Sequence, residues 1–237
     1  MSIINLLLDL LFPPVCLSCN YFGETICQKC LDKFQTWDHL ICPDCLQQSE
    51  WGTKHPNCDD FVDGLVFVWH YNETAQKIIK QIKYQGYFAV CPDLVKLFCQ
   101  NLEDKKYQCF KDFLQTQPIL LPVPLHSKRQ NWRGFNQSEI LGKYFAKNFK
   151  LEYSFKILQR IRNTKPQADL KKKERQENIK DAFDLNPKVL RLGEKPLAKK
   201  NFLLIDDVFT TGATMQNCAK ILKKYGAEKM WALSLCH

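Results

Sequence analysis

Long apolar runs are missing from this chain, and none reaches the roughly 18 residues that a membrane-crossing helix needs. No transmembrane segment is expected. Low-complexity stretches are absent, as are internal repeats beyond paired cysteines, so neither a disordered low-complexity protein nor a solenoid fits. The apolar stretch Ile3 to Phe12 has no basic residues before it and runs straight into Pro13-Pro14 and a cysteine motif. It is expected to form a helix docked on the protein, not a secretory signal or a membrane-surface segment. What is present is a hydrophobic content of 45% in 237 residues. That excludes wholesale disorder and leaves room for one α/β domain of ordinary size with a small appendage.

Acids are scarce in the middle of the chain. From His126 to Lys180, fifteen Lys and Arg stand against five acids, a net +10, whereas Met1 to Asp60 carries three lysines against eight acids, a net −5. A basic middle segment points to a polyanionic ligand, and a pyrophosphate or a nucleic-acid backbone would qualify.

Cysteine divides the chain in two. Seven of the twelve cysteines lie between Cys16 and Cys58, as Cys16-x-x-Cys19, Cys27-x-x-Cys30, Cys42-x-x-Cys45 and His55-x-x-Cys58. The x-x spacing lets two side chains of one knuckle reach one metal, and a tetrahedral zinc needs two knuckles. Four knuckles imply two structural zinc ions. Neighbouring knuckles pair through short loops, and a crossed pairing is also physically possible. Disulfides are the competing reading, disfavoured in a reducing cytoplasmic compartment. Cys91, Cys99, Cys109, Cys218 and Cys236 are scattered and read as small core or surface residues. The expected division is a zinc-ribbon domain over 1–60, with its N-terminal helix, and a second domain over 61–237.

That second domain alternates strand and helix. Phe61 to Tyr71 reads as a strand or hairpin, Ala75 to Lys83 as an amphipathic helix, and Pro92 to about Asp104 as a longer one. Pro118 to Val123 is a compact strand, Asn136 to Phe149 is helical with Asn136 and Glu139 spaced as a capping box, and Met230 to Leu235 is a last strand. The alternation predicts a parallel sheet flanked by helices.

The segment Phe202 to Thr214 carries the chemistry. Phe202 to Ile205 reads as a buried parallel strand ending in Asp206 and Asp207. Val208, Thr210, Thr211, Gly212, Ala213 and Thr214 then lead into a helix from Met215 to Lys224, with Gly226 as its C-cap. Such a turn presents free backbone N–H groups at a helix N-terminus, a seat for phosphate. The acids are better matched to sugar hydroxyls or a metal ion. As strand-end surface groups they are expected to contribute little to stability. Lys128, Arg129 and Arg133 lie in a loop after the stiff Pro122-Val123-Pro124, and arginine suits a pyrophosphate through its planar fork. Arg160 to Asn178 reads as a mobile, charge-rich loop.

The acidic strand end and Thr-Thr-Gly-x-Thr turn resemble the phosphoribosyl pyrophosphate (PRPP) signature of type I phosphoribosyltransferases. In that family the paired acids hold the ribose hydroxyls and the turn holds the 5′-phosphate. Leu121 to Leu141 and Arg160 to Phe183, the latter with Thr164, Gln167, Leu170, Arg175 and Asn178, are similar to the ComF family, as is the order of paired cysteines before such a domain. The resemblance implies a type I phosphoribosyltransferase fold behind a zinc ribbon. It further implies PRPP with Mg²⁺ in the pocket, incoming single-stranded DNA of natural transformation, helicase-like DNA-uptake partners at the inner membrane, and a cytoplasmic or peripheral location. Asp206 and Asp207 would support the developing positive charge at the sugar carbon electrostatically. Tyr84, Tyr87, Trp132, Phe135 and Tyr144, interleaved with basic residues, would suit base stacking. The alternative is a metabolic phosphoribosyltransferase acting on an unidentified base or amine.

Overall fold

The computed structural model describes residues 13–164, 177–191 and 193–237. The helix expected over Ile3 to Phe12 lies outside them, as do most of the expected loop and its positions Gln167, Leu170 and Arg175. Among the described residues the chain begins with helix α1 (Gln28–Leu31), hairpin β1 (Leu40–Ile41) and β2 (Gln48–Ser49), strand β3 (Gly64–Val66), and helices α2 (Glu73–Lys80), α3 (Cys91–Asn101) and α4 (Gln108–Gln115). Strand β4 (Ile119–Pro122) and helices α5 (Ser127–Arg133) and α6 (Gln137–Phe149) follow. The antiparallel pair β5 (Leu158–Arg160) and β6 (Phe183–Leu185), helix α7 (Pro187–Leu190), strand β7 (Phe202–Val208), helix α8 (Ala213–Lys224) and strand β8 (Met230–Cys236) complete the order.

Four strands form one parallel sheet in the order β3-β8-β7-β4. Its central strands are apolar almost throughout because both faces are covered. Alternation sorts them: Leu203, Ile205, Trp231 and Leu233 join the core under α2, α3, α4 and α6, while Phe202, Leu204, Met230 and Ala232 join the core under α8 and β6. Burial of each Leu, Ile, Phe or Met among them contributes about 1.5–3 kcal/mol. Gly64 is required where β3 meets β8, since a Cβ there would lie 2.4 Å from the Trp231 ring.

The expected α/β class, with a parallel sheet flanked by helices and cysteine clusters before it, is the observed one. Local boundaries differ for identifiable reasons. Only Gly64–Val66 of the strand expected over Phe61 to Tyr71 pairs as β3, continued by a bridge from Trp69 to Cys236. Helix α2 starts at Glu73 because the Asn72 side chain accepts from the Ala75 N–H, and it widens into a π-helical turn over Gln81–Gln85. The expected loop holding Lys128, Arg129 and Arg133 is instead helix α5, whose N-terminus is capped by His126 accepting from the Lys128 N–H. Helix α4 and the β5–β6 pair were not expected at all. The first buries only Phe110 and Phe113, and each strand of the second is three residues long.

The cysteine-rich segment packs on the edge of the sheet. Trp37 stacks on His70 at 4.1 Å between ring centres, and the Leu65 N–H donates to the Gly52 carbonyl at 2.8 Å.

Candidate functional site

Strand β4 stops pairing with β7 where Pro122 meets Ile205, Pro124 follows two residues on, and the chain turns into α5. The last three residues of β7 therefore overhang, and Asp206 and Asp207 border a cleft of about 530 Å³. That size falls within the ~300–1,000 Å³ of small-molecule sites. Tyr71, Lys83, Tyr84, Arg129, Arg133 and Arg160 are among its other walls.

Neither acid is a surface group, contrary to expectation. Asp207 is buried, and its carboxylate accepts from Lys83 Nζ at 2.7 Å and from Gln137 Nε2 at 3.4 Å. Asp206 accepts from Ser138 Oγ at 2.8 Å and from the Asp207 N–H at 2.9 Å. Gln137 and Ser138 reach the acids because they open α6, which Asn136 caps by accepting from the Ser138 N–H while donating to the Val123 carbonyl. Burial first, and the Asp207 charge second, push the Asp206 carboxyl up to about 6. Burial pulls the Lys83 ammonium down, but the Asp207 and Asp206 charges outweigh it and hold it above its ordinary value.

Arg129 and Arg133 are one helical turn apart on α5 and share the cleft-facing side, whereas Lys128 is rotated onto the exposed face and does not line the cleft. Arg133 Nη1 donates to Gln137 Oε1 at 2.6 Å, and its guanidinium lies 5.2 Å from the Tyr84 ring centre. Arg129 Nη2 donates to the Thr164 carbonyl at 2.6 Å, and the Arg160 guanidinium bonds the Thr164 hydroxyl. Burial first lowers both Arg129 and Arg160, and a neighbouring guanidinium second, that of Arg133 for Arg129 and that of Arg129 for Arg160. Among the described residues, Nε of Arg133 and Nε of Arg160 are buried without a hydrogen-bond partner, although both side chains line the cleft. Orphaned donors beside a cleft match an anionic ligand.

The turn after β7 brings Val208, Thr210, Thr211, Gly212, Ala213 and Thr214 around a small hollow of about 20 Å³, room for one oxygen-sized group. Thr210, Thr214, Val208 and Asp206 line both hollow and cleft. Gly212 takes φ +73°, and a Cβ there would stand 2.7 Å from the Phe209 ring, so this position demands glycine. It supplies no side-chain cap to α8, whose N-terminus carries the partial positive charge of the helix dipole.

Sequence reasoning missed Lys83, Gln137, Ser138 and Tyr71 as members of this site. Lys83 carried a signal, a lone lysine at the end of an amphipathic helix before Tyr84-Gln85-Gly86. Ser138 and Gln137 looked like ordinary first-turn helix residues.

The cysteines form two separate groups, Cys16, Cys19, Cys27 and Cys30 in one and Cys42, Cys45, His55 and Cys58 in the other. Neighbouring knuckles therefore come together, not crossed ones. Within each group the ligand atoms lie within 4.8 Å of one another. Cys19 and Cys27 sulfurs are 3.5 Å apart, Cys42 and Cys58 sulfurs 3.8 Å. Four ligands at ~2.3 Å around a tetrahedral zinc stand about 3.8 Å apart, whereas a disulfide closes to ~2.05 Å. All twelve cysteines are free thiols. Cys45 Sγ faces His55 Nδ1 at 3.3 Å, and His55 Nε2 meets the Gln48 carbonyl at 3.1 Å, the outer hydrogen bond that orients a metal-binding imidazole. Burial first and the neighbouring sulfurs next push Cys30 and Cys58 up to about 12. Cys16 feels burial as well, but backbone N–H groups led by that of Cys27 outweigh it and bring it down to about 6. Both groups could hold a structural metal such as zinc.

Among the remaining predicted contacts, Tyr84, Tyr87 and Trp132 are exposed, Trp132 by 77%. Phe135 and Tyr144 are partly buried, Phe135 edge-on against Phe88 and Tyr144 against the main core. Among the described residues no helix is long and apolar enough to cross a membrane.

A helix-flanked parallel sheet, an acid pair at a strand end and a glycine-threonine turn opening a helix define an α/β protein whose strand-end cleft suits an anionic ligand, preceded here by two metal-capable clusters. No family model matches the chain. It is 27% identical over 215 residues to Competence protein F of Haemophilus influenzae, covering 88% of this chain and 90% of that protein. It is 28% identical over 222 residues to DNA utilization protein YhgH of Escherichia coli K12, covering 94% and 88%. Competence protein ComFC of Streptococcus pneumoniae matches at 28% over 218 residues, covering 89% and 86%. A hypoxanthine phosphoribosyltransferase structure from Staphylococcus aureus overlaps 62% of each chain at TM-score 0.31 and 11% identity. Over most of its length the chain is thus related to the ComF-type competence proteins, as its three motifs imply.

Proposed function

We propose that the protein binds PRPP with Mg²⁺ in the cleft beside Asp206 and Asp207 and handles incoming single-stranded DNA during natural transformation. The observation that carries this reading is convergence: a buried and a half-buried carboxylate, a half-buried lysine and two arginines with orphaned Nε donors meet beside a helix N-terminus that has no side-chain cap. Carboxylates suit a ribose diol, the turn of 210–214 suits the 5′-phosphate, and Arg129, Arg133 and Arg160 suit the pyrophosphate. Lys83 neutralises Asp207 until the ligand's own cation and hydroxyls arrive. The DNA part is supported by the names of the relatives and by Tyr84 and Trp132 standing exposed in the cleft wall with Arg129 and Arg133, where bases could stack.

Calorimetric titration with Mg²⁺ and PRPP should show saturable binding that is lost in Asp206→Asn/Asp207→Asn. Oligonucleotide binding should weaken steeply with salt and with Trp132→Ala. Unchanged PRPP affinity in the double variant would overturn the assignment. Pyrophosphate release dependent on a small base or amine, without oligonucleotide binding, would point to a metabolic transferase instead.

A further inference from the structure

We infer that Gln216 is a positioning residue that ties the second metal centre to the phosphate-binding turn, so that the order of this turn depends on the metal held by Cys42, Cys45, His55 and Cys58. The inference rests on the proposed reading of that turn. Gln216 sits in the first turn of α8, buried, where an amphipathic helix would ordinarily place an apolar residue. Its side-chain amide is spent entirely on the cysteine-rich side of the molecule. Nε2 donates to the carbonyl of Pro43, inside the Cys42-x-x-Cys45 knuckle, at 3.2 Å. Oε1 accepts from the N–H groups of Phe61 and Val62 at 3.2 and 3.1 Å, on the segment that leads from the knuckles into β3.

The main chain of the same residue reaches the other way. The Gln216 N–H donates to the Gly212 carbonyl at 2.9 Å, the first helical bond of α8, and the preceding Met215 walls the hollow of the turn. A continuous chain of hydrogen bonds therefore runs from knuckle carbonyl to side-chain amide to the glycine that shapes the anion seat. A metal holds Pro43 still, because Cys42 directly before it and Cys45 two residues after it are fixed through their sulfurs. When that centre is lost, a buried amide loses its acceptor and the first turn of α8 loses its anchor.

The test uses the full-length, zinc-loaded protein and reads hydrogen exchange of amides 209–216 alongside PRPP affinity. In the otherwise native chain, His55→Ala should raise exchange across the turn and weaken PRPP binding about tenfold, an ordinary coupling. His55→Cys, which rebuilds the centre with four thiolates, should restore both. Gln216→Met should match His55→Ala in both readouts while keeping its zinc, and the two combined should be no worse than either alone. Gln216→Glu keeps acceptors for the Phe61 and Val62 N–H groups and replaces the donor to Pro43 with a carboxylate oxygen, which the carbonyl repels. It should behave as Gln216→Met does, and covers the case in which the methionine variant fails to fold. Multiplicative losses in the combined variant, or a turn whose exchange ignores His55→Ala, would overturn the coupling. If the native chain shows no PRPP binding while the exchange pattern holds, the ligand assignment falls and the coupling stands.

Discussion

Asp206 and Asp207 are neighbours in sequence with different surroundings. Asp206 is held by a hydroxyl and a backbone amide, and folding raises its carboxyl to about 6. Protonation is thus favoured in the folded state. The stability it contributes is fully present below the ordinary carboxylate range and is lost as pH rises through about 6. Ligand binding needs the ionised form, so PRPP affinity should move the opposite way, climbing up to tenfold per unit as pH approaches 6 from below. Both slopes should flatten in Asp206→Asn, measured by thermal melts and calorimetry between pH 5 and about 7.5. Asp207 instead depends on Lys83. Lys83→Met leaves a buried carboxylate without its cation and should cost about 3 kcal/mol in urea unfolding. Adding Asp207→Asn to Lys83→Met should recover most of it, and a strictly additive loss would show that the pair contributes nothing to stability.

At the scale of elements, α5 shows how a helix selects among basic residues that look equivalent in a loop. Residues four apart share a face, so Arg129 and Arg133 meet the cleft and Lys128 does not. Arg129→Ala and Arg133→Ala should each weaken PRPP or pyrophosphate binding about tenfold or more, while Lys128→Ala leaves it within about twofold. Equal losses at all three positions would mean that only general positive charge counts. This distinction was not legible in the sequence, because seven residues with no buried side chain carry no helical signature. β7 and α8 were legible for the converse reason. Their apolar runs, acid pair, turn glycine and C-terminal Gly226 each obey a local rule, and the rules agree.

The whole molecule places its two metal-capable clusters unequally. Beside the second cluster, Leu40 and Ile41 belong to the two main cores, whereas Cys16, Cys27 and Cys30 form a small cluster of their own. Metal binding is folding free energy. Cys58→Ala should therefore lower the global melting transition clearly, while Cys27→Ala should mainly loosen the segment before residue 35 and shift the main transition little. Zinc content per chain, measured with each melt, separates loss of metal from loss of packing. Equal shifts for both variants would contradict this asymmetry.

Sequence alone determined the period of the apolar residues, the knuckle spacing and the strand-turn-helix carrying Asp206 to Thr214, because each is a contact between residues close along the chain. Only the tertiary structure decided which knuckles share a centre, that Asp207 is buried and Asp206 half-buried, and that Lys83, Ser138 and Gln137 are their partners. Those contacts join residues that lie up to about 124 positions apart, as Lys83 and Asp207 do, and no local rule reports what a strand end will face once helices from elsewhere have packed around it.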